Sequence, residues 1–284
     1  MMLKYIKNLI LYDFKNIYAN RNIIFLYIII SSILIVNLIP KVPSLVCNYL
    51  DFYGYIFMNS SLIAYLPCIL SIYFSAIIFF NNELDILIKI RIKNKYYWLI
   101  SKLFTMLILN LFIIILLTMI TLIIGIIYFK LAIGWGENSI SLAKQIPMTV
   151  TDFKYTIFYS PLKLILINSV IYTLFMTFIS LFAIIVSLIF KMPKLAVILP
   201  SIYLIVSFFI SIIPNFKLAK FLNSNSYIMF GYRNYYKFSE LSGLFLTFRQ
   251  AFFIPLILLI ILVFISLVIV RKIDFCIGEK RLWD

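Results

Sequence analysis

Composition and charge set the class of this protein. The chain has 284 residues, of which 64% are hydrophobic and 12% are charged, whereas a typical soluble domain carries about 25% charged residues. This composition excludes a soluble globular protein and predicts an integral membrane protein. The net charge of +15 comes from basic residues spread over the connections between apolar runs, which favours membrane orientation over nucleic-acid binding.

Several kinds of catalytic site are excluded by residues that the sequence lacks. There is no histidine, and the three cysteines, Cys47, Cys68 and Cys276, fall in a loop, a span and a tail. Zinc sites, Ser-His-Asp triads and Cys-His pairs are therefore excluded, and no intramolecular disulfide is expected. The seven glycines form no Gly-x-x-x-x-Gly-Lys-Ser/Thr run, so the chain is predicted to have no ATPase site of its own.

Six apolar runs are each long enough to cross a membrane, which takes about 20 helical residues. The predicted fold is an all-α integral membrane protein with one transmembrane domain, residues 1–284. The predicted spans are residues 23–39, 60–80, 103–129, 164–190, 195–213 and 251–270. An amphipathic helix over residues 1–20 is predicted to lie in the membrane interface, and the first span is expected to be an uncleaved anchor.

The basic residues predict how the chain is oriented. Segments predicted to be inside hold 15 of the 25 Lys and Arg residues, although they are shorter in total than the outer segments. Because inner loops carry the excess of Lys and Arg, both termini, including the tail 271–284, are predicted to be cytoplasmic. The extreme Ile, Lys and Asn usage is typical of an AT-rich bacterial genome, and the predicted location is the bacterial plasma membrane.

Asp13 stands out on the N-terminal helix. At about 100° per residue, it falls inside the apolar arc of that helix. The arc consists of Leu3, Ile6, Leu9, Ile10, Phe14 and Ile17. Two interpretations remain open: the carboxylate reaches lipid headgroups or lysine side chains at the interface, or it contacts a cytoplasmic partner.

The second predicted span carries small residues on one helical face. They are Ser61, Ala64, Cys68, Ser71 and Ser75. Such stripes let helices approach closely in lipid, so helix packing is one interpretation, and a mildly polar wall of a translocation path is the other. Pro67 in the same span is expected to kink it.

The predicted spans contain no Asp, Glu, Lys, Arg or His. Ion-coupled transporters need an ionisable group at membrane depth. A secondary transporter or proton pump is therefore disfavoured.

Residues 214–250, between the fifth and sixth spans, mix aromatic and basic side chains. That mixture is typical of a membrane interface. One or two short helices resting on or dipping into the outer leaflet are predicted there, and an ordinary solvated loop is the alternative.

The connection between the second and third spans, residues 81–102, has the character of a contact surface for another protein. It holds five Lys and Arg residues together with Glu83 and Asp85. Residues 86–93 alternate apolar and basic as a strand would, but a short helix beginning near Glu83 is favoured because no partner strand is visible. The simpler interpretation is that the lysines only hold this loop inside.

These features together resemble the membrane subunits of ABC-2 type (type V) ABC transporters. Shared features are the interfacial N-terminal helix, six spans, a charged inner connection, an outer aromatic segment and a basic stretch directly after the last span. The sequence that carries the resemblance is NNELDILIKIRIKNKYYWLISKL at 81–103, and RKIDF at 271–275 is a second match. Family members usually carry a Gly and a Pro in the inner connection, and this chain has neither.

The resemblance implies partners and residue roles. The inner connection would be a coupling helix that sits in a groove of a separate ABC ATPase subunit, which binds ATP and Mg²⁺. The coupling residues would be Glu83, Asp85, Lys89, Arg91 and Lys93. A second membrane subunit, identical or different, would pair through spans one and five around a path lined by spans two and five. The path residues would be Ser61, Ala64, Cys68, Ser71, Ser75, Ser207 and Ser211.

The expected function is that of a permease subunit of an ATP-driven exporter. Small, uncharged wall residues suit an amphipathic or hydrophobic cargo, such as an antimicrobial peptide, a drug or a lipid-linked molecule, taken from the cytoplasm or the inner leaflet. The alternatives are a non-transporting membrane scaffold or sensor subunit, and a passive channel. An ATPase-docking helix distinguishes the exporter, because neither a scaffold nor a channel needs one.

Overall fold

The fold is built almost entirely from helices. The computed structural model describes residues 2–43, 46–59, 61–80, 95–145, 156, 159–190, 192–210, 219–222, 224–228 and 248–272. The helices are α1 (Met2–Ala19), α2 (Arg21–Leu38), α3 (Tyr49–Asn59), α4 (Ser61–Phe80), α5 (Lys95–Tyr128), α6 (Glu137–Gln145), α7 (Pro161–Phe190), α8 (Pro193–Ile210), α9 (Ala219–Leu222), α10 (Asn225–Ile228) and α11 (Phe248–Lys272). A 3₁₀ turn, Ile39–Lys41, continues α2. The predicted helical class is confirmed.

Four stretches in the described part of the chain are long and apolar enough to cross a membrane. They are Arg21–Lys41, Tyr96–Tyr128, Pro161–Phe190 and Arg249–Arg271. Helices α3 and α4 pass the same test together, but they are bent by 66° where they meet. The apolar stretch of α8, Lys194–Phe209, is shorter. These helices support a multi-pass membrane protein, whereas the count of six spans stays a prediction.

Helix α7 is the centre of the bundle. It contacts α4, α5, α8, α10 and α11, and 67% of its spanning stretch is buried. A helix that is apolar on all sides is expected to be surrounded by other helices. In α2 and α11 only 17% of the spanning stretch is buried, so both present most of their apolar surface outwards.

Two connections predicted as loops contain helices. Residues 41–59 include α3, in which Phe52, Tyr53 and Ile56 are buried, and residues 130–163 include α6. The sequence did not reveal α3 because its 11 residues are too few to cross a bilayer. Its apolar side chains pack on α5.

The described part of the aromatic segment 214–250 packs against the bundle. It forms α9 and α10, and Ser224, Tyr227 and Ile228 are buried. The ring of Tyr227 stacks on that of Phe175 in α7, with centroids 5.2 Å apart. In the described residues the segment thus forms two short helical turns packed on the bundle. The choice between helices in the outer leaflet and a solvated loop for residues 214–250 stays open.

Candidate functional site

The residues predicted to couple to an ATPase lie outside the part of the chain that the structure describes. They are Glu83, Asp85, Lys89, Arg91 and Lys93. The described structure gives the two helices that the connection joins, since α4 ends at Phe80 and α5 begins at Lys95. The coupling role stays a prediction.

The small-residue stripe of α4 faces the interior of the bundle. Ala64, Cys68, Ser71 and Ser75 are each at most 1% exposed. The Ser75 hydroxyl donates to the Ser71 carbonyl at 2.7 Å, and α4 packs against α5 and α7. The chain's own helices therefore cover these side chains, as the helix-packing interpretation predicts. Their role as a path wall stays a prediction, and the side chain of Ser61 lies outside the described residues.

Ser207 of α8, another predicted path residue, is also buried. Its hydroxyl donates to the Ser224 hydroxyl at 2.7 Å, and Ser224 makes a second hydrogen bond to the hydroxyl of Tyr65 in α4. Ser207 thus takes part in joining α8 and α4 to the segment that carries α9 and α10. Ser211 lies outside the described residues.

A polar network at the centre of the bundle joins three helices. We call Ser71, Asn110, Thr177 and Ser180 the Asn110 network. The Ser71 hydroxyl donates to Asn110 Oδ1 at 2.7 Å, and Asn110 Nδ2 donates to Thr177 Oγ1 at 3.3 Å and to Ser180 Oγ at 3.2 Å. All four side chains are buried. The amide uses its oxygen and its nitrogen at once, so the network joins α4, α5 and α7 without placing a charge in the membrane.

The backbone of α4 near Pro67 is supported by a side chain of α7. The hydroxyl of Tyr172 donates to the Ala64 carbonyl, and the Cys68 thiol lies 3.9 Å from the same hydroxyl. Pro67 has no N–H to donate to the Ile63 carbonyl four residues earlier. The Tyr172 hydroxyl contacts the next carbonyl, that of Ala64, and so joins α7 to α4 close to the proline.

Asp13 forms a buried ion pair with Lys102 of α5. Lysine Nζ lies 2.5 Å from Asp13 Oδ1, and the two side chains are 3% and 1% exposed. The hydroxyl of Thr105 donates to Asp13 Oδ2 at 3.2 Å. We call Asp13, Lys102 and Thr105 the Asp13 cluster. This contact matches the first interpretation of Asp13, in which the carboxylate reaches a lysine side chain.

Lys102 lies just before the third predicted span. It belongs to the stretch Tyr96–Tyr128, and Lys163 belongs to the stretch Pro161–Phe190, both of which are long and apolar enough to cross a membrane. Both helices begin before the predicted spans do, and the absence of ionisable residues from the spans stays a prediction. Lys102 is about 10 Å from the start of α5, so its charge lies towards one end of that helix.

A second buried aspartate, Asp51, lies towards the other end of α5. Its carboxylate accepts hydrogen bonds from the backbone N–H groups of Gly136 at 3.0 Å and Cys47 at 3.3 Å, and from the side chain of Ser139. Asp51 and Ser139 are fully buried. We call Cys47, Asn48, Asp51, Gly136 and Ser139 the Asp51 cluster. The N–H and O–H dipoles of these donors, which come from the segment before α3 and from the start of α6, stabilise the carboxylate.

Asn48 places Asp51 in this cluster by starting α3. Its Oδ1 accepts from the N–H groups of Leu50 at 3.0 Å and Asp51 at 2.9 Å, which is the usual N-cap arrangement. Its Nδ2 donates to the Gly134 carbonyl at 3.1 Å, and a β-bridge pairs Asn48 with Lys130. The cap therefore ties the first turn of α3 to the segment that follows α5.

Two glycines allow this close approach. A Cβ atom on Gly125 would lie 3.2 Å from a ring carbon of Phe52, and one on Gly136 would lie 2.3 Å from an Asp51 carboxylate oxygen. By contrast, a Cβ atom on Gly134 would meet nothing within 4 Å. Gly136 is therefore the position at which any side chain would collide with the Asp51 carboxylate.

An open groove lies beside the start of α7. It is lined by Tyr159, Lys163, Leu166 and Ile167, and Trp135 Nε1 donates to the Tyr159 carbonyl at 2.6 Å. Burial raises the pKa of the Tyr159 hydroxyl. Within the described ranges, no group of three or more Cys, Asp or Glu residues is placed to hold a metal ion.

Comparison with protein families gives a match over most of the chain. A family model described as "Protein of unknown function (DUF2705)" matches residues 46–276, which include the Asp51 cluster and the Asn110 network. No curated protein and no solved structure matches the chain. The family description assigns no activity.

Proposed function

Since the chain belongs to the DUF2705 family of proteins of unknown function, we propose from its own residues that it is the membrane subunit of an ATP-driven exporter of the ABC-2 type. The proposed subunit has six spans and lies in a bacterial plasma membrane with both termini in the cytoplasm. Its cargo is amphipathic or hydrophobic: an antimicrobial peptide, a drug or a lipid-linked molecule.

The observation that carries the proposal is the position of the charged connection. Residues 81–94 join α4 to α5, and α1 packs against both helices. Lys102, about two turns after the start of α5, pairs with Asp13 of α1. A partner that moved residues 81–94 would therefore act on α5 and, through the ion pair, on α1 as well.

The proposal includes a separate ATPase, because the sequence has no phosphate-binding loop of its own. ATP and Mg²⁺ would bind to that partner. A second membrane subunit is supported by the outward face of α2, where Phe25, Ile29 and Ile33 are each more than half exposed. Lipid or another subunit would cover such a face.

The test is purification of the tagged chain from its native cell in mild detergent, followed by an ATPase assay. We expect a soluble subunit with a phosphate-binding loop to co-purify, and Glu83→Ala to abolish transport and lower ATP hydrolysis while the chain stays folded. Glu137→Ala is the matched control, because Glu137 is exposed on α6. A chain that purifies alone and without ATPase activity would refute the exporter.

A second candidate, a non-transporting scaffold or sensor subunit, is favoured by the burial of the α4 stripe. Ala64, Cys68, Ser71 and Ser75 are covered within a single chain, as a packing role requires. A scaffold would tolerate Glu83→Ala and Arg91→Glu with its assembly intact. An exporter would fail with either variant.

A further inference from the structure

We propose that α3 is a lid at one end of the helix bundle, held closed by the Asp51 cluster. The axes of α3 and α4 lie 66° apart, and the lid would open by separating from α5 and α6 while the chain still joins it to α4. This inference does not rest on the export function, because the closing contacts belong to α3, α6 and the end of α5.

The apolar side of α3 is seated across α5. It packs more extensively on α5 than on α4, although α4 follows it directly in the sequence. The rings of Phe52 and Phe129 stack with centroids 4.8 Å apart, and the hydroxyls of Tyr53 and Thr118 lie 3.5 Å apart. The position of α3 is thus set by contacts to a helix from which it can separate without breaking the chain.

Three polar contacts at the start of the lid converge on one carboxylate. Asp51 accepts from Cys47 on one side and from Gly136 and Ser139 on the other. These donors come from two segments that are far apart in the sequence. Loss of the Asp51 carboxylate would release the hydrogen bonds to Gly136 and Ser139 together, while the contacts of Asn48 to Gly134 and Lys130 would remain. Asp51 therefore controls the contact of α3 with the start of α6.

The attached lid also fixes the start of α4. The stripe residues Ala64 and Cys68 are fully buried, and they lie in the first turns of the helix that continues from α3. While α3 is attached at its far end, the start of α4 is fixed as well. Opening of the lid would free that end of α4 and give the stripe a route to solvent or lipid.

Hydrogen exchange of the chain in lipid nanodiscs, read by mass spectrometry, tests the lid. Asp51→Asn keeps the size of the side chain but removes its charge and one acceptor oxygen. We expect α3 amides to exchange at least about fivefold faster, the equivalent of losing one buried hydrogen bond, while α5 amides are unchanged. Glu137→Gln is the control. Unchanged α3 exchange, or equal acceleration in α3 and α5, would overturn the lid.

A disulfide can replace the Asp51 carboxylate. A Cβ atom on Gly136 would lie 3.4 Å from that of Cys47, close to the about 3.8 Å found in disulfides, and Asp51→Ala removes the carboxylate that would collide with it. In the variant Asp51→Ala/Gly136→Cys with Cys276→Ser, diamide takes two electrons and two protons from the two thiols as the S–S bond forms. Dithiothreitol reverses the reaction.

The oxidised variant should regain the slow α3 exchange of the unmodified chain, and the reduced form should exchange at least about fivefold faster. The matched control, Asp51→Ala/Gly136→Ser with Cys276→Ser, should stay fast under both conditions. A disulfide that fails to form, or one that forms without slowing α3 exchange, would contradict the proposed closure. Failure to co-purify an ATPase would leave these exchange rates unaffected, so the two proposals fail separately.

Discussion

Asp13 and Asp51, the two buried aspartates in the described part of the bundle, lie towards opposite ends of α5 and are stabilised in different ways. Asp13 is paired with a lysine at 2.5 Å, whereas Asp51 accepts from N–H and O–H groups of two loops and a helix. Both arrangements avoid a buried carboxylate without partners, which is strongly unfavourable. The first balances charge with charge, and the second spreads the charge over fixed dipoles.

The difference determines what each end tolerates. The Asp13 cluster depends on the sign of a charge, and a change that removes one partner leaves the other charge buried. The Asp51 cluster depends on space, because the donor at Gly136 can approach only without a Cβ atom. Loss of a charge should therefore destabilise the Asp13 cluster most, and replacement of a glycine should destabilise the Asp51 cluster most.

Lys102→Met should have the largest effect on stability. Methionine keeps most of the side-chain volume but leaves the Asp13 carboxylate buried and uncompensated, which costs about 3–5 kcal/mol in comparable pairs. The measurement is the free energy of unfolding in mixed micelles. Lys163→Met is the control, because Lys163 is exposed, and it should change stability by less than about 0.5 kcal/mol.

The double variant Asp13→Asn/Lys102→Met sharpens this result. Neutral replacements of a buried ion pair are often close to neutral in stability, so the double variant should regain most of the loss. If Lys102→Met alone were as stable as the unmodified chain, the buried charge pair would not be what holds α1 on α5.

Gly136→Ala should have the second-largest effect. The new Cβ atom would lie 2.3 Å from the Asp51 carboxylate, and overpacking of this kind typically costs about 1–3 kcal/mol. Gly134→Ala, two positions away, meets open space and should cost less than about 0.5 kcal/mol. Thermal unfolding of both variants in the same detergent compares them. Equal losses would mean that glycine flexibility matters here and the Asp51 contact does not.

The sequence contained part of this picture. It gave the helical membrane class, and it marked Asp13 as a carboxylate in an apolar arc. It could not identify Lys102 as the partner, because the two residues are 89 positions apart and meet only through the packing of α1 on α5. The span boundary at residue 103 also placed that lysine among the loop charges.

The Asp51 cluster was missed for a different reason. Residues 41–59 are too few to form a span and its flanking connections, so the sequence predicts a loop there and Asn48 does not stand out as an N-cap. Gly136 resembles any loop glycine in the sequence, and its requirement for no side chain arises from Asp51, 85 positions away. Local patterns predict helices and caps, whereas contacts of this length depend on how the helices assemble.

Asn110→Leu, at the middle of α5, should have the smallest effect of the three. It removes the amide, but the hydroxyls that it contacts keep other partners: Ser180 bonds to the Met176 carbonyl at 2.9 Å and Thr177 to the Thr173 carbonyl at 2.8 Å. Hydrogen bonds between membrane helices contribute about 0.6 kcal/mol on average, so the loss should be about 1 kcal/mol.

The control for Asn110→Leu is Asn8→Leu, since Asn8 is exposed on α1, and unfolding in mixed micelles compares the two. The uncharged network differs from both aspartate clusters because its Thr177 and Ser180 hydroxyls still hydrogen-bond to carbonyls of their own helix when the amide is removed. A loss as large as that of Lys102→Met would show that the Asn110 amide is as indispensable as a buried charge. The contrast between the ends of α5 and its middle would then disappear.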